Sequence, residues 1–525
     1  MKLKYFYSFL IVILLSGLTY SQFTPNSFYL SQDKKMYKPT GNSPISSNSV
    51  SDIITIGDTI WVGTGQGVSY STDNGNNWTN FTNDKTFGTE SISAIGYYDG
   101  IFWAATALDT NTSQGVMPRG GGLRYTSNGG LNWNYLLEPL DNKNDTIVTY
   151  GNNKLRALPV TVPINNLIYD IAFTPGTIWI ATFAGGLRKS TDMGKTWQRV
   201  VLPPDYLDEV KPSDTLHFCM QPVSGSFCSE NNLNYRVFSV IATNDSTLYV
   251  GTADGINKST DNGISWVKFT NTNETNPISG NFIVALGYQK YNNMIWAASW
   301  PAEGANEFYA VSFTNDGGAD WKTSLSGEKV HNFGTMNNQV IAASDDGAFR
   351  TSDNGANWIL PNSIVDESTG LTLNTAAFYA AGFQNNYVWL GSGEGLARLD
   401  EVSGSMWSGN WNLYFASRPL TSASDSYAYP NPFNPNTDIL KIKYDIKGSS
   451  EPVTIRIFDF GMHYVRTIIQ NTSRGNVHSV DQSGGVIDYW DGKDADGKTV
   501  PNGVYFYRID ADSQSPIYGK ILVIH

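Results

Sequence analysis

Cysteine is nearly absent. The 525 residues contain two, Cys219 and Cys228, nine positions apart in a segment with Pro222, Gly225 and several serines. So few exclude a disulfide scaffold, and with no histidine or third cysteine at ligand spacing they exclude a cysteine-based metal centre. Positive charge is scarce as well: 35 Lys and Arg against 47 Asp and Glu give a net charge of −12 and a pI near 4.9. No Lys/Arg stripe runs along any segment, which excludes recognition of a nucleic-acid backbone. Charged residues of both signs amount to only 16%, too sparse a supply for long amphipathic helices. The five histidines, His217, His331, His463, His478 and His525, are scattered. They share no Ser/His/Asp or metal-ligand spacing and no Gly-x-Ser-x-Gly elbow exists, so neither a hydrolase triad nor a bound metal or cofactor is expected.

Long apolar runs are missing except at the start. Lys2 and Lys4 precede an apolar stretch from Tyr5 to Leu18, followed by Thr19-Tyr20-Ser21 and Gln22. The stretch falls short of the roughly 20 residues a membrane span needs, and its charged head and small-residue exit are those of a signal peptide cleaved near Ser21/Gln22. Residues 1–21 are therefore read as a signal peptide and 22–44 as an N-terminal segment, with no transmembrane segment left after cleavage. In an exported protein a local Cys219–Cys228 disulfide is the expected pairing, two free thiols being the other reading.

Glycine, tyrosine and tryptophan are abundant, at 50, 29 and 15 residues, a composition that suits short strands and tight turns. Six segments match Ser/Thr-x-Asp/Asn-x-Gly-x-x-Trp, beginning at Ser71, Thr126, Ser190, Ser259, Thr314 and Thr351. A turn explains the spacing. Asp73, Asn128, Asp192, Asp261, Asp316 or Asp353 accepts backbone N–H bonds, and the glycine takes a positive φ. Trp78, Trp133, Trp197, Trp266, Trp321 or Trp358 then returns on the next strand and packs between sheets. A second signature recurs seven times: Trp61, Trp103, Trp179, Tyr249, Trp296, Ile341 and Trp389 are each followed two residues later by Gly or Ala. Another short apolar segment and a polar turn lead each of them, so every unit supplies about four strands. Seven such units over residues 45–418 predict an all-β, seven-bladed β-propeller, whose ring closure protects the sheet edges. The seventh unit has Gly404 with Trp407 or Trp411 in place of the turn, as an atypical terminal repeat would. The extra length at Asp109–Gly121, Leu136–Val162 and Pro203–Asn234 reads as inserted loops, the expected partner-binding face.

The repeated turn resembles the Asp-box of bacterial neuraminidase repeats, shared by sialidases, sortilin-type receptors, photosystem-assembly propellers and oligoxyloglucan hydrolases. The resemblance implies a propeller and leaves the chemistry open, because in those families the turn sits at the blade periphery.

The texture changes after a Ser-rich linker at 419–428. Leu440, Ile442, Tyr444 and Ile446 alternate with charged residues, as Val453, Ile455 and Ile457 do with Thr454, Arg456 and Phe458, which predicts half-buried antiparallel strands. Trp490 to Gly497 reads as a hairpin connection, since its Asp spacing does not follow a calcium loop. Residues 429–525 resemble the type A sorting domain of the type IX secretion system, in the form related to the flagellar hook-cap Ig-like fold. The residues that match are Pro430-Asn431-Pro432-Phe433-Asn434-Pro435, Asp459 and Gly461, Trp490-Asp491-Gly492, Gly503-x-Tyr505-x-Tyr507-Arg508 and Lys520. The resemblance implies a small Ig-like β-sandwich, recognition by the type IX machinery, and a final location in the medium or on the outer-membrane surface of a bacterium.

Catalytic chemistry is hard to assemble. Arg124, Arg188, Arg350 and Arg398 occupy one repeat position and read as peripheral strand residues, not as a sialidase clamp. One carboxylate pair stands out: Asp52 and Asp170 each precede the strand tryptophan, Trp61 or Trp179, by nine residues. Equivalent positions on innermost strands would bring both to the axis as acid and base for glycoside cleavage. The other reading makes each a turn cap. Trp300, Tyr309 and Tyr150 are candidate sugar-stacking aromatics. The sequence thus points to a secreted or cell-surface binding or structural propeller with a protein or glycan partner, the alternative being a secreted glycoside hydrolase.

Overall fold

The computed structural model describes residues 45–525 apart from 84, 114, 369–370, 374, 417–425, 447–449, 475–485 and 513. The signal peptide, the N-terminal segment, most of the linker and His478 lie outside the described residues. What is described is all β, save for one short 3-10 turn at Leu233–Tyr235.

Seven antiparallel sheets follow one another along residues 50–414, each with its strands side by side in chain order but for one added edge strand in the fourth. Their first strands are Val50–Ile56, Ser91–Tyr98, Ile168–Thr174, Val237–Ala242, Phe282–Gln289, Val330–Met336 and Phe378–Gln384. Each first strand packs against the next, and the last packs back against Val50–Ile56. Side chains bind this closure: Gln384 Nε2 donates to the Gly57 carbonyl at 2.9 Å and Thr55 Oγ1 to the Phe383 carbonyl at 2.5 Å. The sheets therefore form a β-propeller.

Second strands such as Thr177–Thr182 and Met294–Trp300 are buried at every position, because neighbouring sheets cover both faces. The recurrent small residue is needed for that approach. A Cβ on Gly63 would meet Ile92 at 2.9 Å, and one on Gly391 would meet Val50 at 2.4 Å, each on the following first strand.

Three expectations are corrected. The sixth sheet has three strands among the described residues, its fourth reduced to an isolated Arg350–Ile359 bridge. The inserted segments are not plain loops: Ile147–Tyr150, Asn153–Ala157 and Cys219–Met220 form a sheet of their own, and Glu209–Val210 adds a fifth strand to the fourth sheet. Residues 109–121 extend the long hairpin of Ile101–Thr112 with Gly115–Thr126. Apolar residues in the insertions, among them Leu155, Val210, Leu216 and Phe218, join one core with Trp179 and Trp266, which is why they order.

Residues 426–525 form two more sheets, Ser426–Tyr429 with Leu440–Tyr444 and Val486–Trp490, and Tyr464–Arg474 with Glu451–Phe458, Gly503–Ala511 and Gln514–Val523. They sandwich a core that includes Leu440, Ile442, Tyr444, Val453, Ile455, Ile457, Tyr507 and Ile521. Lys441 and Lys443, two of the charged residues that alternate with Leu440, Ile442 and Tyr444, are buried as well, so the strand is not half-buried but covered on both faces. Their side of the strand is covered: Lys441 Nζ donates to the Ser46 carbonyl and lies over the Tyr429 ring. Thr82 completes the junction, its N–H donating to the Thr437 carbonyl at 3.0 Å and its Oγ1 accepting from the Ile439 N–H at 2.8 Å.

Candidate functional site

Every first strand carries one register shift against its second strand, at an equivalent place in all seven sheets. Such a bulge re-aims the extra side chain. The bulged residues, Ser51, Ser93, Tyr169, Phe238, Val284, His331 and Tyr379, all line one axial cavity of about 230 Å3. The residue after each bulge is Asp52, Ala94, Asp170, Ser239, Ala285, Asn332 or Ala380. Asp52 and Asp170 are thus brought to the same cavity, along with Ser239 and Asn332.

Both carboxyl groups serve the backbone that the bulges disturb. Asp170 Oδ1 accepts from the Ile171 N–H and Oδ2 from the Val240 N–H of the next sheet, each at 2.8 Å. Asp52 Oδ1 accepts from the Ile53 N–H at 2.8 Å and from Asn332 Nδ2 at 3.3 Å. Asn332 repeats the pattern, its Oδ1 taking the Phe333 N–H at 2.8 Å. Neither Asp caps a turn, since both stand within strands. Burial, and then the charge of Asp170, push the Asp52 carboxyl up to about 7, and burial pushes Asp170 to about 6. Two carboxyls held near neutrality in one cavity can exchange protons, which is the chemistry that keeps a hydrolytic reading open.

His331 is buried, and its Nε2 lies 2.8 Å from Asp345 Oδ1 between the rings of Trp300 and Tyr379. Nδ1 has no partner, and neither do the buried hydroxyls of Ser93 and Ser239. These three residues were not singled out from the sequence. Counting nine back from Ile341 finds Asn332 beside His331, but the turns before Tyr249 and Trp296 are longer, so the same count misses Ser239.

The other candidates sit elsewhere. In each of the six turns the Ser or Thr hydroxyl takes the glycine N–H and donates to the Asp or Asn, as Ser71 does to Asp73 at 2.8 Å. Asp73 Oδ1 accepts the Asn77 N–H at 2.8 Å. The matching contacts in the other turns join Thr126 to Asn128, Ser190 to Asp192, Ser259 to Asp261, Thr314 to Asp316 and Thr351 to Asp353. Gly75 has φ +81°, and a Cβ there would meet the Trp389 ring at 2.5 Å. The four arginines lie on third strands and are buried. Arg188 pairs with Asp141 at 2.7 Å, Arg124 with Glu90 at 2.7 Å and Arg350 with Glu401 at 2.6 Å, and Arg398 lies over the Tyr387 ring. The aromatics proposed for sugar stacking are taken up internally: Trp300 Nε1 donates to the Val330 carbonyl and Tyr150 Oη to the Ile264 carbonyl, and Tyr309 packs on Trp300. Cys219 and Cys228 are joined in a disulfide. Among the described residues no cluster of His, Cys, Asp and Glu could hold a metal ion, and no helix is long and apolar enough to cross a membrane.

No described protein family and no curated protein matches the chain. Among solved structures it is similar to PorZ, an essential bacterial surface component of the type-IX secretion system of Porphyromonas gingivalis. The identity there is 13%, over 91% of this chain and 66% of that one, with a TM-score of 0.33. An ancestral GH74 enzyme is similar at 15% identity over 93% and 63%, TM-score 0.49, and a Niastella koreensis GH74 enzyme at 13% over 92% and 74%, TM-score 0.48. The chain spans about two thirds of the length of the first two. At these levels the likeness says nothing of function, which rests on this chain's own residues.

Proposed function

We propose that the chain is an exported binding or structural protein of a bacterial surface or its surroundings. In this reading the seven sheets are the blades of a seven-bladed Asp-box propeller over residues 45–418, with 1–21 a cleaved signal peptide, 22–44 an N-terminal segment and 419–428 a linker. Residues 429–525 are an Ig-like sorting domain read by the type IX machinery. The observation that carries the reading is a convergence. Matching residues from distant parts of the sequence meet at one edge of the C-terminal sandwich: Asn431 Oδ1 accepts the Leu522 N–H and its Nδ2 donates to the Lys520 carbonyl, at 2.8 and 2.9 Å. The Phe433 N–H donates to the Leu522 carbonyl and its own carbonyl takes the Ile524 N–H. The Phe433 ring packs 5.9 Å from that of Trp490, and Pro435 and Phe433 leave no room for a Cβ on Gly492. Tyr505 joins the same group, 5.7 Å from Trp490. The six Asp turns are structural in this account, and the partner, a protein or a glycan, meets the inserted segments.

The second reading, a glycoside hydrolase using Asp52 and Asp170, has their shared cavity in its favour. Against it, their oxygens are engaged with backbone N–H groups of two sheets. Purified protein on glycan arrays, with sugar release measured in parallel, separates the two. Binding without release is expected. Release that disappears in Asp52→Asn or Asp170→Asn would establish the hydrolase instead.

A further inference from the structure

We infer that the axial cavity is a binding site for a small primary ammonium compound, held by Asp52 and Asp170 at its charged end. This rests on the cavity being a binding site and is independent of how the chain is exported.

Three observations carry it. Ser93 Oγ, Ser239 Oγ and His331 Nδ1 are buried without a partner, and they come from three different sheets to the same cavity. A buried polar atom left unpaired is costly, so three converging on one space call for a polar guest. The second observation is the sign of the wall. Asp52 and Asp170 line the cavity and no Lys or Arg does. A guest that carries positive charge and N–H donors fits such a wall, and an anion does not. Carboxylate oxygens that already take one backbone N–H retain lone pairs for another. The third is the rest of the lining, with the Tyr169, Phe238 and Tyr379 rings beside aliphatic side chains. Rings attract cations, and the apolar part of the wall suits a short carbon body. The cavity, about 230 Å3, holds on the order of half a dozen non-hydrogen atoms.

Burial favours protonated carboxyls in the cavity, with Asp52 near 7 and Asp170 near 6. An ammonium guest stabilises the ionised forms, so it binds more tightly as pH rises through that range.

The test is calorimetric titration of the purified full chain with 4-aminobutan-1-ol, using butane-1,4-diol as its neutral twin. Saturable one-to-one binding of the amine at pH 8 is expected, weaker by about tenfold or more at pH 5, with no binding of the diol at millimolar concentration. Asp170→Asn should weaken the amine by about tenfold or more, the loss of one charge-assisted bond. Ser93→Val takes cavity space without removing an internal hydrogen bond, and should abolish binding while the melting temperature of the free protein stays in place. Equal binding of the diol, an amine affinity that neither substitution moves, or no saturable heat with the amine would each overturn the inference.

Discussion

Trp78 stands edge-on to Trp389, their ring centroids 6.1 Å apart and their planes at 87°. Trp78 closes the turn of the first sheet and Trp389 lies on the second strand of the seventh, so one contact joins the two ends of the ring. The same pairing runs round the molecule: Trp133 meets Trp61 at 6.3 Å and 89°, and Trp358 meets Trp296 at 5.9 Å and 84°. Trp197 shares a core with Trp103, Trp266 with Trp179 and Trp321 with Tyr249. Trp407 and Trp411, the two candidates for the turn tryptophan of the seventh sheet, share a core with Ile341. The two repeated signatures are thus the two halves of one inter-sheet contact.

Stability should follow the depth of each half. Trp389 is fully buried and Trp78 half-buried. Trp389→Ala is expected to cost about 3–5 kcal/mol and Trp78→Ala about half as much, read as shifts in the urea midpoint. Equal effects would mean that the contact does not bear the ring closure.

Loss of a turn carboxylate should cost less. Asp353 takes the Asn357 N–H on Oδ1 and the Asn357 side chain on Oδ2, which with the Thr351 hydroxyl hold its carboxyl below the usual range. Asp353→Ala is expected to destabilise by roughly 1 kcal/mol, with Asp353→Asn recovering part of it because one oxygen remains.

Stability should peak at mildly acidic pH. Hydrogen bonds from the Thr196 hydroxyl and N–H lower Asp192 to about 2, so the native state binds fewer protons than the unfolded chain below pH 4 and loses stability as pH falls there. Asp52 works in the opposite sense. With its carboxyl raised to about 7, the folded chain keeps a proton that the unfolded chain has released, and stability drops as pH rises from about 4 to 7. Glu138, raised to about 8, and Asp254 and Asp438, each raised to about 7, all by burial, add in the same direction. The urea midpoint should be higher at pH 5 than at pH 8, and Asp52→Asn should narrow the gap.

The junction between propeller and sandwich should part at Thr82. Thr82→Val keeps the shape but leaves the Ile439 N–H without its acceptor, a loss of about 1–3 kcal/mol for a buried donor. The C-terminal sandwich is then expected to become the earlier-melting, protease-sensitive part while the ring unfolds as before.

The repeats were legible because each signature marks a steric necessity: a glycine with positive φ in the turn, and a small residue such as Gly63 or Gly391 where the next strand presses. The inserts were less so. Their order comes from residues such as Leu216 and Phe218 packing in one core with Trp179 and Trp266, contacts with no period to count. Lys441 and Lys443 misled for the same reason, since alternation reports one buried face and cannot show that a second unit covers the other. At the cavity, the count of nine found Asp52 and Asp170, but the bulge that re-aims His331, Ser93 and their equivalents leaves no sequence mark.

The export reading is tested most directly by location. In a bacterium with a working type IX pathway, the full chain and a version ending at residue 418 are followed by fractionation and by protease added to intact cells. The full chain should be found in the medium or exposed at the surface, and the shortened chain folded but retained inside the outer membrane. A shortened chain that reaches the outside as efficiently as the full one would contradict the assignment of residues 429–525 as the sorting signal.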